Sequence, residues 1–310
     1  MKSVKQQIFF TILLVLTLTA CGTSEQQLKE RAAELCQYIP DHELLAQSKE
    51  HLTTDFYNVL DTMFNHLPQY EEVAHEWLYY FVTGNGGTIA DYEVLSVKQT
   101  DPTHAVATIL VRQVWSDGFE GDEDDEPEEH RLYMERVNGK WLMSDFDEHK
   151  ADCIRYIAIS RRESAIRDAM SAYLVSEIAP DYLQGELCVP TIIVVAEDSN
   201  RVWCDCWIDW YNISGDTLKT VSGGSHSGCV TLAEQNNTWK VTAFEQTEDG
   251  AGNMASAKRI FGSHYDVYCN VHSNQNVREA CRQLQLREYI RQHGLHTRYY
   301  QDFGRSAVEL

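Results

Sequence analysis

Of the side chains that could do chemistry, Asp145 has the clearest setting. It ends the stretch Asn138-Gly139-Lys140-Trp141-Leu142-Met143-Ser144-Asp145-Phe146-Asp147-Glu148. In a strand, alternate residues share a face, which groups Trp141, Met143 and Asp145. A carboxylate at the end of an apolar face has the environment that raises a pKa toward that of a general base. The alternative is that Asp145 sits past the buried part of the strand, in water or in a hydrogen bond.

A second pattern lies in residues 201–213. Val202, Cys204, Cys206, Ile208 and Trp210 form one face and read as core. Trp203, Asp205, Trp207, Asp209 and Tyr211 form the other. Aromatics mixed with carboxylates suit a surface that meets another domain, a partner or a polar ligand, so Trp203, Trp207 and Tyr211 are the candidate contact residues. Cross-strand packing on a partly wet sheet is the competing account.

The chain has 9 cysteines. Cys21 belongs to the leader, and eight remain: Cys36, Cys153, Cys188, Cys204, Cys206, Cys229, Cys269 and Cys281. An even number permits a disulfide framework in an exported protein, with the pairing open. Cys204 and Cys206 stand roughly 6–7 Å apart on the strand rise and are not expected to bond to each other. Cys204, Cys206, His226 and Cys229 contain zinc-type ligands, but the spacing matches no standard knuckle. Residues 121–126, Gly-Asp-Glu-Asp-Asp-Glu, lack the ligand alternation of a calcium loop and read as a solvated tip. Gly84-Asn85-Gly86-Gly87 lacks the following Lys-Ser/Thr of a phosphate loop and reads as a turn. His42, His51, His66 and His75 read as surface or helix-end residues. No metal or cofactor is expected.

The elements that must position these groups follow from periodicity. Ser24 and Gln27 form a capping box opening a helix to residue 38, with Leu28, Ala32 and Leu35 on one side. Asp41 caps a longer helix over residues 41–66, and a further helix covers 70–81. Strands follow at 92–99, 105–115, 130–137 and the Trp141 stretch. Ser160 and Glu163 cap a helix to residue 177, and strands follow at 188–197, 201–213, 229–235 and 239–246. Gly and Pro are absent between Gly139 and Pro180, so a junction near 149–160 is short and stiff. A short helix ends at Gly262, and a terminal helix over 276–292 turns Val277, Cys281, Leu284 and Tyr289 inward, with Gly294 as its stop. The tail to Leu310 carries no assignment. Blocks of helix followed by blocks of strand argue for α+β.

The Trp141 stretch comes back as Asn236-Asn237-Thr238-Trp239-Lys240-Val241-Thr242-Ala243-Phe244-Glu245-Gln246, with Trp141 and Trp239 98 residues apart. Asn-Gly and Asn-Asn tolerate the positive φ of a tight hairpin. One small domain is thus built twice, and 310 residues suffice for two cores. With 47 acidic against 26 basic residues, the net charge of −21 disfavours nucleic acid as a partner.

At the start, Lys2 and Lys5 precede an apolar run from Ile8 to Leu18 that is too short to span a bilayer. Leu18-Thr19-Ala20-Cys21-Gly22 resembles the lipobox of bacterial lipoproteins. The resemblance implies a signal peptide at 1–20 and lipidation, palmitate included, of Cys21. It further implies a body anchored in the cell envelope, in the outer membrane facing periplasm or surface, since Gly22 and not Asp follows. An ordinary cleaved signal is the alternative.

Helices leading into a curved antiparallel sheet closed by Asn-Gly-Lys-Trp-x-x-x-Asp resemble the NTF2-like (cystatin-like) superfamily, over residues 41–148 and less fully over 160–246. The resemblance implies two tandem cones, each a sheet wrapped around a helix. The domains are then an anchor and N-terminal helix at 21–40, cones at 41–150 and 160–270, and a C-terminal helix and tail at 271–310. That superfamily holds isomerases, dehydratases and non-catalytic binding or assembly domains, so fold leaves function open. The expectation is a non-enzymatic lipoprotein that binds a small ligand or an envelope protein. The alternatives are an isomerase- or hydrolase-like enzyme using Asp145 with Tyr79 or Tyr80 as donor, and a structural envelope subunit.

Overall fold

The computed structural model describes residues 24–40, 44–67, 87–115, 127–236 and 238–310. The protein is mixed α+β with two antiparallel-rich sheets, and it divides into two compact units at Ala158/Ile159. Among the described residues no helix is long and apolar enough to cross a membrane.

The first unit opens with α1 (Glu25–Cys36). Both halves of the Ser24–Gln27 capping box form, at 3.0 and 3.2 Å. Leu28, Ala32, Leu35 and Cys36 go into the core with the sheet, so this helix is part of the first unit and no free spacer. The expected helix over 41–66 is broken. A short α2 (Leu45–Ser48) and a 3-10 turn precede Leu52, which bridges to Met143. Thr53 N donates to Met143 O, and the Thr53 hydroxyl then caps α3 (Thr54–Asn65). Pairing to the sheet and a fresh cap win over continued helix. Helix α3 buries Phe56, Leu60, Met63 and Phe64 at helical spacing.

The sheet is a meander of β1 (Gly87–Gln99), β2 (His104–Trp115), β3 (Glu128–Val137) and β4 (Lys140–Phe146). Strand alternation places His130, Leu132 and Met134 inward.

Helix α4 (His149–Tyr173) runs without a break through the stretch expected to be a junction. Ser160 is therefore a buried mid-helix residue and no N-cap. Cys153 and Ile157 belong to the first core, Ile166 and Met170 to the second.

In the second unit, β5 (Leu187–Cys188) and β6 (Thr191–Asp198) both pair with β7 (Arg201–Ser214), split by Val189-Pro190 because proline has no N–H to give the ladder. Strand β8 (Thr217–Gln235) is much longer than the expected 229–235. Its serine- and glycine-rich first half carries little strand signal. Pairing to β7 overrides that, and glycine is what the approach demands. A Cβ on Gly223 would lie 2.4 Å from Ile208 O, and one on Gly224 2.1 Å from Tyr182 Oη. Strand β9 (Thr238–Gln246) closes the hairpin.

The two hairpins match in register. Arg136 faces Trp141 and Glu234 faces Trp239; Leu132 faces Phe146 and Val230 faces Phe244. Both bulges fall at the same point, between Tyr133 and Met134 and between Thr231 and Leu232. Asn138 and Asn236 both take positive φ, 50° and 53°. Every one of these correspondences keeps the 98-residue offset.

Helices α5 (Asn253–Phe261), α6 (Tyr265–Ser273) and α7 (Gln275–His293) follow, and Gly294 ends α7 in the left-handed region at φ 61°. The tail forms β10 (Tyr299–Gln301), parallel to β8, and β11 (Val308–Glu309). Parallel pairing to a strand 82 residues earlier leaves no local signature, as with Tyr299 opposite Thr217.

Candidate functional site

Asp145 does not share the face of Trp141 and Met143. The bulge at Ser144 shifts the alternation, so Phe146 takes the next inward place and Asp145 pairs with Tyr133. Its Oδ1 accepts from Phe146 N at 2.7 Å and Lys150 N at 2.9 Å, at the start of α4. Burial pushes its carboxyl up against those two hydrogen bonds. The geometry is that of a carboxylate tying down a helix start. Cys21, Tyr79 and Tyr80 lie outside the described residues, as do residues 84–86 and 121–126.

The residue that the inward face of the first unit does present is His130, 8% exposed and opposite Ile109. Its Nδ1 lies 2.6 Å from Asp147 Oδ2. Asp147 occupies the turn after β4 at φ 46°, and its Oδ1 accepts from Arg131 N at 2.6 Å. Burial pushes the Asp147 carboxyl up, but bonds from His130 and Arg131 outweigh it and hold it below the ordinary range. Asp147 is thus an ionised acceptor that holds a proton on Nδ1 and fixes the direction in which Nε2 points. Nε2 is buried and has no hydrogen-bond partner among the described residues. The nearest carboxylate, exposed Glu128, stands 3.9 Å away, beyond hydrogen-bond reach. Phe146 stacks on the ring with centroids 5.4 Å apart. An oriented imidazole with an unpartnered ring nitrogen in an apolar setting can hydrogen-bond a ligand or exchange a proton with it. His130 alternates with Leu132 and Met134 in the sequence, and that was the available signal; its link to Asp147 depends on the turn.

At the 98-residue offset His130 and Asp147 correspond to Gly228 and Glu245, so the pair is not repeated in the second unit. Glu128 and Glu148 correspond at the 98-residue offset to His226 and Gln246. His226 Nδ1 is 2.7 Å from Gln246 Oε1 and its Nε2 is 2.8 Å from Tyr182 Oη. Both ring nitrogens are occupied.

The two faces of β7 separate as the alternation demands. Val202, Cys204, Cys206 and Ile208 join Ile166, Met170 and Leu174 of the α4 side. The face carrying Trp203, Trp207 and Tyr211 is covered by the chain's own α5–α7. Trp203 is buried and donates Nε1–H to Ile260 O at 2.8 Å. Trp207 lies under Arg278, and Tyr211 is fully buried with its Oη accepting from Arg282 Nε at 2.9 Å. Arg282 is the largest fully buried side chain, so α7 turns Arg282 and Leu286 inward in place of Cys281 and Leu284. It binds Asp302 through Nη1 at 3.0 Å and Nη2 at 2.8 Å, and Thr220 at 3.0 Å, and lies 3.7 Å from Asp209. Burial pushes the Asp209 carboxyl up, countered by Arg282 and Arg278. The sheet's carboxylates thus meet helix cations, an intramolecular version of the complementary surface that the sequence suggests.

All eight described cysteines are thiols. Cys204 and Cys206 face α4 while Cys229 joins Trp203 and Phe261 on the other side of the sheet, so the four suggested ligands cannot converge. Burial pushes the Cys36, Cys153 and Cys188 thiols up to about 12, which makes them inert fillers. Among the described residues no group of three ligands could hold a metal. His51 is a helix-end residue, closing the 3-10 turn, and it also stacks on Tyr38 with centroids 3.5 Å apart. No protein-family model matches this chain, and no curated protein shows significant similarity to it.

Proposed function

We propose that this chain is a membrane-anchored envelope lipoprotein with two tandem NTF2-like domains, and that the first domain binds a small, mainly apolar ligand with one hydrogen-bonding group. The matching hairpin registers and bulges support the duplication. The Lys-rich start, apolar run and Leu-Thr-Ala-Cys support the anchor at Cys21. The observation that carries the ligand reading is His130 Nε2, buried without a partner among the described residues and oriented by Asp147. Leaving such a group unpaired costs about 1–3 kcal/mol, which a hydrogen-bonding group on a ligand recovers. In the second domain His226, at the position matching Glu128, has both ring nitrogens hydrogen-bonded within the fold, and that domain serves as scaffold or partner surface.

The test is native mass spectrometry of the full chain extracted from its own membrane. The expected mass is the acylated chain plus a small molecule that is lost in His130→Leu. A wild-type mass accounted for by chain and acyl groups alone refutes ligand binding. Cys21→Ser tests the anchor separately, with the variant expected in the soluble fraction; unchanged membrane association refutes it. A second reading, enzymatic, is favoured by the same Asp147–His130 pair, which has the arrangement of an oriented general base. Recovery of the bound molecule in an altered chemical form, dependent on Asp147, would distinguish turnover from binding.

A further inference from the structure

On the helix-covered face of the second sheet, two cationic groups keep unspent donors. Arg278, near the start of α7, lies with its guanidinium carbon 3.5 Å from the centroid of the Trp207 ring. Stacking fixes the guanidinium plane and spends none of its N–H donors. The Arg278 side chain makes no hydrogen bond and no ion pair among the described residues, and its Nε is buried without a partner among them. One turn on, Arg282 is fully engaged and carries the ion pair to Asp209. His272, in the last turn of α6, places Nδ1 3.2 Å from both oxygens of buried Asp205, so Nδ1 holds a proton. Ser227 Oγ donates to Oδ1 of that carboxylate at 2.6 Å and Trp207 Nε1 to Oδ2 at 3.4 Å. The His272 side chain is 39% exposed, and its Nε2 makes no hydrogen bond among the described residues. Between these two residues in the chain, the α6–α7 junction forms an open depression lined by Asn270, Ser273, Asn274, Gln275 and Asn276.

We propose that Arg278 and His272, with the amide rim at the α6–α7 junction, bind a small oxyanion, the phosphate or carboxylate group of a solute or of a lipid headgroup. The stacked guanidinium presents a planar pair of donors, which matches two oxygens of one oxyanion. Protonated His272 adds a third donor held in direction by Asp205. The first amides of α7 are not the source of binding, because Asn276 N and Val277 N already donate to Asn274 Oδ1. The amide side chains hydrogen-bond the neutral part of the molecule.

Binding strengthens as pH falls, because His272 gains its second donor on protonation. The groups facing it are Asp205 on β7, Tyr268 on its own helix and Arg278 on α7. The Asp205 bond holds the His272 pKa above the ordinary imidazole value, against burial and Arg278.

The experiment is calorimetric titration of the full chain with inorganic phosphate at pH 6 and pH 8, alongside NMR of the histidine ring protons. Phosphate is expected to shift the His272 resonances, identified by their loss in His272→Asn. Arg278→Gln and His272→Asn are each expected to weaken binding about tenfold or more, the size of one lost charge-assisted bond. Arg278→Lys is expected to fall between. If Arg278→Gln is destabilised, His272→Asn at pH 6 gives the same test on a more exposed side chain. Equal affinity in wild type and both variants, or unmoved His272 resonances, overturns the proposal. Sedimentation with phosphatidylglycerol vesicles, using the Cys21→Ser chain, separates the sources. Vesicle binding lost in Arg278→Gln assigns a headgroup, and phosphate binding without vesicle binding assigns a free solute.

Discussion

Replacing Arg282 with Met removes a cation buried at the centre of the C-terminal layer. The wild-type side chain is 1% exposed and donates four hydrogen bonds, to Tyr211, Thr220 and twice to Asp302. Met keeps most of the volume, so the loss is electrostatic. It leaves buried Asp209 with Arg278 as its remaining cation and Asp302 without its fork. Removing one partner of a buried ion pair costs about 3–5 kcal/mol, and that is the expected destabilisation of the second unit. Urea unfolding followed by tryptophan fluorescence reads it, because Trp203, Trp207 and Trp210 all lie on β7. The double variant Arg282→Met/Asp302→Asn is expected to recover part of the loss, since one of the stranded charges is gone. The acid limb adds an independent check. The Arg282 bond, opposed by burial, holds the Asp302 carboxyl below its ordinary pKa. A depressed folded pKa means stability present above the unfolded value, about 3.9, and lost as pH falls through the folded one. The single variant is expected to lose that part of the acid dependence. A cost below about 1 kcal/mol for Arg282→Met would refute the claim that this network holds the C-terminal layer, that being the worth of an exposed pair.

Asp145→Ala is expected to cost about 1 kcal/mol in thermal unfolding, the value of a lost helix cap, with no effect on a ligand bound at His130. Gly223→Ala forces a Cβ against Ile208 O and Asp209 Oδ1, at 2.4 and 2.6 Å. The expected loss is about 1–3 kcal/mol by urea unfolding, as for an overpacked core. His272 has a raised folded pKa, so its contribution is present below the unfolded value near 6.5 and lost as pH rises through the folded one. Unfolding at a series of pH values is expected to show this decline in wild type, and Asp205→Asn should flatten it.

The Trp-bearing hairpins were legible because turn chemistry and strand alternation are local: Asn138 and Asn236 set the turns, and the offset set both registers. The same locality explains the capping box at Ser24 and the glycine stops at Gly262 and Gly294. The site was less legible. One bulged residue at Ser144 exchanged Asp145 for Phe146 on the inward face, and a bulge has no distinct residue signature. His130 carries the right alternation, but its orientation depends on Asp147, 17 residues on and in a turn.

The sequence by itself determined the α+β class, the doubled hairpin and the split of β7 into an apolar and a mixed face, because each depends on neighbours within a few residues. Tertiary structure alone decided what covers the mixed face. Arg282 and Asp302, on a helix and in the tail, carry no sequence signal of burial until Tyr211, Thr220 and Asp209, from strands 62 to 82 residues earlier, come to meet them. Desolvation then turns those charges from solvated groups into partners that must pair, and no local pattern records that.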